Sequence, residues 1–157
     1  MKIAFYGSSL LSSYWNGAAT YYRGILRALG ERGYDITFYE PDAFDRQQHR
    51  DIDPPAYAKV VVYPATVEAM RGVLAEAASA DIVVKANGVG VFDKELLEGV
   101  IAHARADALK IFWDVDAAAT LDEMRADADH PIRAGLPGLD MVLTYGGGPP
   151  VVTASST

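Results

Sequence analysis

Runs of apolar, often β-branched residues alternate along this chain with segments in which apolar residues recur every three or four positions. The runs have the length and composition of strands. They are residues 2–6, 35–39, 59–63, 81–85, 109–113 and 141–145. Because residues 60–62 and 82–84 are continuously apolar, we expect both faces of the sheet to be covered. The pattern predicts an α/β fold, with a doubly wound, mainly parallel Rossmann-like sheet of about six strands and helices on both faces.

The segments between the runs predict three amphipathic helices and a weaker fourth one. The three apolar faces span residues 22–29, 70–77 and 96–104. Thr66 and Asp93 occupy N-cap positions, Gly33 is placed to end the first helix, and Thr120 starts the weaker helix. The chain between residues 41 and 58 is irregular, since its prolines block a long helix.

The composition excludes several classes of function. The chain has 157 residues and no cysteine, which rules out disulfides, thiolate metal sites and thiol nucleophiles. Its formal net charge is −7 and its lysines and arginines are scattered, so it has no basic stripe for nucleic acid and no basic helix for a membrane surface. Apolar stretches fall short of the ~20 residues of a membrane span, and the N-terminus does not resemble a secretory signal. We expect a cytoplasmic protein that binds no nucleic acid.

The turn after the first predicted strand has the features of a ligand-binding loop. We expect Gly7 to leave the strand at positive φ, and Gly17 to let the next helix begin. The loop is neither a dinucleotide fingerprint nor a P-loop, because Gly-x-Gly-x-x-Gly and Gly-Lys-Ser/Thr are both missing. Since open parallel sheets bind ligands at the carboxyl ends of their strands, it is either a substrate loop or an ordinary surface loop. The candidate substrate-binding residues here are Gly7, Ser8, Ser9, Trp15, Asn16, Gly17 and Thr20.

A second candidate substrate-binding turn, with Asn87 and Gly88, follows the fourth predicted strand. If the strand order reverses between the first and fourth strands, this turn faces the Gly7 loop across a crevice; otherwise its glycines only ease a turn. Lys85 of the same strand is expected at the strand end with its ammonium group in solvent. Glu40 ends the second strand, where a nicotinamide-binding fold has its ribose-binding acid, but the fingerprint glycines are absent.

Candidate catalytic residues are few. Asp114 and Asp116 flank one residue, an arrangement that hard cations favour, but the strand ends here. We therefore expect Asp116 to cap a helix or line the cleft, where it is a substrate-binding and weak catalytic candidate. His49, in the irregular segment over the ligand edge, is the histidine that we single out as a catalytic base. The sequence predicts no metal and no cofactor.

The end of the chain resembles another strand-to-helix turn. Tyr145, Gly146 and Gly147 complete the set of candidate substrate-binding residues. Residues 151–157 are too few for a packed helix of ordinary length, so we interpret them as a tail or as the truncated start of a next helix.

Several segments carry a resemblance to a known family. They read MKIAFYGSSL (1–10), WNGAATYYR (15–23), FYE (38–40), HRD (49–51), FWDVDA (112–117) and YGGGP (145–149). In their order and spacing they resemble the N-terminal half of CgeB-like glycosyltransferases, over about residues 1–150. The resemblance implies a GT-B architecture, in which two Rossmann-like domains face a cleft and transfer a sugar from a nucleotide-sugar donor without a metal.

By this resemblance, residues 1–150 are the domain that mainly receives the acceptor. The loop of residues 7–17 approaches the donor diphosphate or the acceptor, and the loops at Asp116 and Gly146 line the same cleft. Nucleotide-sugar and acceptor are shared with a missing C-terminal domain, so we expect the chain alone to be inactive. The alternative is a stand-alone, flavodoxin-like ligand-binding or interaction module without catalysis, whose serine loop cradles a phosphate.

Overall fold

The computed structural model describes residues 1–144 and Pro149, and it is built around a six-stranded sheet. The strands are β1 (Lys2–Tyr6), β2 (Asp35–Asp42), β3 (Lys59–Pro64), β4 (Ile82–Ala86), β5 (Leu109–Asp114) and β6 (Met141–Thr144). Their order is β3-β2-β1-β4-β5-β6, and every neighbouring pair is parallel. The predicted parallel Rossmann-like sheet is confirmed. The strand order reverses between β1 and β4, which meets the condition set for the Asn87 turn to face the Gly7 loop.

Helices cover both faces of the sheet, as the continuous apolar strands predicted. They are α1 (Ala19–Glu31), α2 (Val67–Ala75), α3 (Asp93–His103), α4 (Ala117–Ala126) and α5 (Pro131–Gly135). Successive residues of β1 belong to opposite hydrophobic clusters, because strand side chains alternate between faces. Phe5 shares one cluster with Tyr22 of α1, whereas Tyr6 shares the other with Met70 of α2 and Val100 of α3. The fold is thus doubly wound about β1.

Two of the predicted helix ends are confirmed. Thr66 caps α2, with its hydroxyl accepting a hydrogen bond from the amide of Ala69 at 3.2 Å. Gly33 follows the C-cap of α1 with a φ of 88°, a left-handed conformation that glycine adopts at little cost.

Two other helix starts are shifted from the prediction. Asp93 is not the N-cap of α3 but its first residue, and the cap is Phe92, whose backbone is left-handed. Helix α4 begins at Ala117 rather than at Thr120, because Asp116 accepts a hydrogen bond from the amide of Ala119 and caps the helix there. The prediction that Asp116 caps a helix is confirmed.

The expectation that Gly7 leaves the strand at positive φ is wrong. Its φ is not positive; the described glycines with positive φ are Gly33, Gly88 and Gly90. Gly7 is instead limited by space, since an added Cβ would lie 2.6 Å from the ring of Phe38, which is fully buried.

Among the residues that the structure describes, no helix is both long and apolar enough to cross a bilayer.

Candidate functional site

Strand β1 is the pivot of the sheet, since it pairs with β2 on one side and with β4 on the other. Because all strands are parallel, the segments that follow β1, β2, β4 and β5 emerge along the same edge. We call these segments the carboxyl rim. They comprise residues 7–18, 43–58, 87–92 and 115–116. The segments after β1 and β4 flank the point where the strand order reverses, which is where open α/β sheets bind ligands.

The first segment of the rim is held in shape by its own side chains. Ser8 donates a hydrogen bond to the side-chain oxygen of Asn16 at 2.7 Å, and the Asn16 amide donates to the carbonyls of Ser9 and Ser12, both at 2.9 Å. All four side chains are buried. These polar groups, which the sequence indicates as substrate contacts, form hydrogen bonds within the loop and fix its shape. Their contact with a substrate stays a prediction.

Glu40 anchors this loop to the end of β2. Its fully buried carboxylate accepts hydrogen bonds from the Ser9 hydroxyl at 3.0 Å, from the Leu10 amide at 2.6 Å and from the side-chain amide of Gln47. A buried carboxylate needs such donors to offset its lost hydration. The expectation that Glu40 ends the second strand is wrong, because β2 continues to Asp42, and the oxygens of Glu40 hold the rim together.

The remaining sequence candidates in these segments are scattered in environment. Gly17 lies just before α1 in open space, with no atom within 4 Å of an added Cβ, so no neighbour requires glycine there. Thr20 is an exposed residue in the first turn of α1. Gly88 has a φ of 73° and is exposed after β4. Tyr145, Gly146 and Gly147 lie outside the described residues.

Backbone strain among the described residues is concentrated at the rim. The non-glycine residues with positive φ are Trp15 (46°), Phe44 (56°), Asp45 (56°) and Phe92 (58°). Bulky residues rarely adopt this conformation, and it is costly unless the surroundings enforce it. Trp15 is 84% exposed and Phe44 is 53% exposed. The rim therefore exposes to solvent two aromatic side chains whose backbones are strained.

His49 lies beside Tyr14, the residue that precedes Trp15. Its ring stacks on Tyr14, with the centroids 3.9 Å apart and the planes inclined by 7°. Its Nδ1 lies 2.9 Å from the carbonyl oxygen of Asp45, which only accepts, so Nδ1 carries a proton. In the neutral imidazole, Nε2 is then the unprotonated nitrogen, which is the arrangement of a histidine oriented as a base.

Arg46 bridges two segments of the rim. It is buried, and its guanidinium donates to the carbonyl of Val89, in the segment after β4, at 3.1 Å. Its Nε has no hydrogen-bond partner. Burial lowers the pKa of Arg46, and the nearby carboxylate of Glu40 opposes that shift. Phe44 packs over Gly90 of the same segment, where an added Cβ would lie 2.6 Å from the ring.

The expectation that the ammonium group of Lys85 reaches solvent is wrong. Lys85 is 1% exposed and forms an ion pair with Asp93, on the face of the sheet that α3 covers. The Asp93 carboxylate also accepts from the backbone amides of Val89 at 3.2 Å and Gly90 at 2.8 Å. Burial lowers the pKa of Lys85, and the charge of Asp93 opposes that shift. One acidic side chain thus ties β4, the next turn and α3 together.

A second polar cluster joins the ends of β4 and β5. Asn87 donates through Nδ2 to Asp114 at 3.0 Å and to Thr120 at 2.9 Å. Asp114 also accepts from the Thr120 hydroxyl at 2.9 Å and from the amide of Asp116 at 3.0 Å. Asp116 itself is exposed. Asp114 therefore fixes the turn that presents Asp116.

Two neighbouring cavities open on the β4 to β6 side of the sheet. The larger, of about 450 Å³, is walled by β5, β6, α4 and α5 and includes Asp114 and Thr120. The smaller, of about 290 Å³, includes Lys85 and Asn87. Phe112 lines both cavities.

Several polar residues that the structure places in or beside this rim were not candidates from the sequence. They are Arg46 and Asp93, and Lys85 was expected in solvent. The signal for Lys85 is its place in an otherwise apolar strand, eight residues before an aspartate. No comparable pattern marks Arg46, whose burial depends on how the irregular segment after β2 folds back.

Within the described residues, no group of three or more His, Asp or Glu side chains is arranged to hold a metal ion. No protein-family model and no curated protein matches the chain. Among solved structures, the chain is similar to BdcA (YjgI) from E. coli, with 17% sequence identity and a TM-score of 0.44 over 99% of this chain and 87% of that chain. This similarity is too distant to bear on function.

Proposed function

We propose that this chain is the acceptor-side domain of a metal-independent glycosyltransferase of GT-B architecture. In this proposal the carboxyl rim forms one wall of the cleft, and a C-terminal domain supplies the other wall and holds the nucleotide-sugar. The resemblance of the segments quoted above to CgeB-like glycosyltransferases suggests the reaction.

The observation that carries the proposal is the concentration of strained, exposed aromatic residues at the switch point of the sheet. A folded chain retains a left-handed tryptophan or phenylalanine only where the surroundings enforce it, and such residues cluster at functional sites. Trp15 and Phe44 offer flat apolar faces beside polar backbone, which suits the C–H face of a sugar ring better than it suits a charged phosphate.

His49 is the residue that we assign as general base of the acceptor hydroxyl. Its Nδ1–H bond to the Asp45 carbonyl orients Nε2 as the proton acceptor, and its exposed ring stacks on Tyr14, the residue before Trp15. A positioned base of this kind contributes about 10²–10⁴-fold to a rate. Transfer also requires that donor and acceptor be held in line, which needs both walls of the cleft.

The alternative, a stand-alone module that cradles a phosphate in the serine loop, is less well supported. The hydroxyls of Ser8, Ser9 and Ser12 are buried and donate to Asn16, Glu40 and the carbonyl of His49. To bind a phosphate they would have to break these bonds, and Glu40 would then be left as a buried carboxylate with fewer donors.

The proposal is tested by measuring sugar binding and sugar transfer separately. Wild-type protein and the variants Trp15→Ala and Leu109→Ala are labelled and applied to an array of glycans. Leu109 is an exposed apolar residue at the amino-terminal end of β5, away from the carboxyl rim, which makes it a matched control. We expect Trp15→Ala to weaken glycan binding about tenfold, which corresponds to the ~1.4 kcal/mol of one aromatic contact, and Leu109→Ala to leave it unchanged.

With UDP-, GDP- or dTDP-hexose as donor, we expect no sugar transfer by this chain. Saturable transfer catalysed by the chain alone, or glycan binding that does not depend on Trp15, would contradict the proposal. A yellow flavin or a nucleotide that copurifies with the protein would favour the stand-alone module instead.

A further inference from the structure

The smaller cavity contains an ammonium group whose donors are not all used. Lys85 is 1% exposed, so bulk water does not reach it freely. An ammonium has three N–H donors, and within the described residues its acceptor is one oxygen of Asp93. Both members of this pair line the cavity of about 290 Å³. Two donors therefore remain to be met by whatever occupies the cavity.

Other walls of the cavity offer acceptors. The side-chain nitrogen of Asn87 is used by Asp114 and Thr120, which leaves its oxygen to accept a hydrogen bond. His130 accepts the amide of Ile132 through Nδ1, so Nε2 carries the proton and lies 3.4 Å from Glu123, an exposed carboxylate with a further oxygen. The cavity thus presents donors and acceptors together.

The charges of the lining are balanced. The lining holds two lysines, Lys85 and Lys94, and two acidic residues, Asp93 and Glu123. A site for a phosphate or a dicarboxylate would carry an excess of positive charge. A balanced lining suits a neutral ligand whose groups both donate and accept, that is, one with hydroxyls.

The rest of the wall is apolar, and the size is small. Leu97, Phe112, Pro131 and Ile132 also line the cavity. The volume lies just below the ~300–1,000 Å³ of sites for drug-sized ligands, which leaves room for a single ring. A lining that combines polar groups with apolar side chains suits a pyranose, which presents both kinds of surface.

We propose that this cavity binds one neutral sugar ring, with Lys85 donating to a ring hydroxyl and Asn87 accepting from another. That the ring belongs to the acceptor rests on the proposed function, whereas the binding itself rests on the cavity alone. The residues that line this cavity do not include the exposed aromatic residues Trp15 and Phe44, so binding at the two places is testable independently.

The test is an NMR titration of ¹⁵N-labelled protein. The probes are methyl α-D-glucopyranoside, N-acetyl-D-glucosamine and myo-inositol, with sodium phosphate at matched ionic strength as the charged comparison. We expect at least one of the neutral probes to shift the amide signals of Lys85, Asn87 and His130 in a saturable way, and phosphate to leave them unmoved.

Lys85→Met removes the ammonium group and keeps most of its volume. We expect it to weaken sugar binding tenfold or more. Lys110→Met is the matched control, because Lys110 is a mostly buried lysine that also pairs with an aspartate, Asp140, but lies two positions nearer the amino ends of the strands and does not line this cavity. If Lys85→Met fails to fold, Glu123→Gln serves in its place, since this exposed residue tolerates substitution, and a several-fold loss of affinity is expected.

Each outcome decides the matter. Shifts caused by phosphate but not by the neutral probes, or no shifts at all, overturn the inference, the latter because the cavity then holds water only. Sugar-induced shifts confined to the segment around Trp15 overturn it while supporting the proposed function. Shifts at the cavity, together with glycan binding that survives Trp15→Ala, support the cavity site. The same result counts against Trp15 as a sugar contact.

Discussion

Gly7, which opens the loop after β1, is required by packing rather than by backbone conformation. A Cβ at this position would lie 2.6 Å from the ring of Phe38 and 3.2 Å from the ring of Phe5. These two rings are stacked on each other and fully buried, so neither has room to move away. The approach of the loop to the sheet is thus possible only without a side chain at residue 7.

Substituting Gly7→Ala is therefore expected to reduce the free energy of unfolding by about 1–3 kcal/mol, the usual cost of overpacking a core. Gly24→Ala is the matched control, because Gly24 is an exposed residue inside α1 with open space around it. There the same change is expected to stabilise the protein by about 0.5–1 kcal/mol, since alanine is the better helix former. Urea unfolding measures both changes, and equal effects at the two sites would contradict the packing argument.

Glu40 provides a second test at the level of one residue. Its carboxylate accepts from Ser9, Leu10 and Gln47, and it is fully buried. In Glu40→Gln, one of these donors faces an NH₂ group, so we expect the free energy of unfolding to fall by about 1–3 kcal/mol.

The control for Glu40 is Glu31→Gln, at the exposed end of α1, which is expected to change the free energy of unfolding by no more than about 0.5 kcal/mol. Wild-type stability in Glu40→Gln would mean that the loop is not anchored through this carboxylate.

At the scale of elements, the segments of the rim are fastened to one another by ionic and polar bonds. Arg23 of α1 donates to the carbonyl of Leu10 at 2.9 Å and forms a two-fold ion pair with Asp51. Asp51 in turn accepts from the amide and hydroxyl of Ser13. These bonds hold the pKa of Asp51 well below its usual range, with the Arg23 bond the largest cause.

The low pKa predicts a particular dependence of stability on pH. Because the folded state binds the Asp51 proton more weakly than the unfolded state, the carboxylate stabilises the fold above the ordinary aspartate pKa of about 3.9 and loses this effect as the pH falls below it. Asp51→Asn should thus be less stable than wild type at pH 7, by less than about 1 kcal/mol because the pair is exposed to solvent, and the difference should shrink in acid.

Urea unfolding of wild type and Asp51→Asn across the acid range measures this difference. The control is Asp53→Asn, an exposed carboxylate two residues further on. A difference between wild type and Asp51→Asn that persists unchanged at the acid end would show that charge is not its source.

The elements themselves were largely predictable from the sequence, whereas their polar connections were not. Strand β1 was placed residue for residue, because a short apolar run between polar turns leaves one position for a strand. The shift of the α3 cap from Asp93 to Phe92 was not predictable, since Asp93 is drawn to Lys85 and to the amides of the preceding turn. Whether a strand lysine points to solvent or to a partner depends on a helix that comes later in the sequence and packs against the strand.

The same limit applies to the candidate site. The sequence predicted the rim, because parallel strands place their carboxyl ends on one edge, but the switch point depended on a strand order that the sequence left open. The serines after β1 were recognisable as candidates from the sequence, but the direction of their hydroxyls was not. Glu40 is distant in sequence and reaches this loop only once β1 and β2 pair. Residues such as Arg46 escape sequence analysis for a similar reason, as their burial is decided by an irregular segment.

At the scale of the whole molecule, the strand order predicts a gradient of local stability. Strand β1 has a hydrogen-bonded neighbour on each side and hydrophobic clusters on both faces, and four of its five residues are buried. Strand β6 is the last strand in the order, and Met141 and Val142 on it are exposed. Elements with few buried contacts open locally at a lower free energy than the core.

We therefore expect the amides of β1 to exchange with deuterium only through global unfolding, and those of β6 to exchange through local opening at a free energy several kcal/mol lower. Native-state hydrogen exchange at increasing urea separates the two cases, since only global opening depends steeply on denaturant. Phe5→Leu should speed exchange in β1, whereas it should leave local opening of β6 unchanged. Equal protection of the two strands would mean that the sheet opens as one unit.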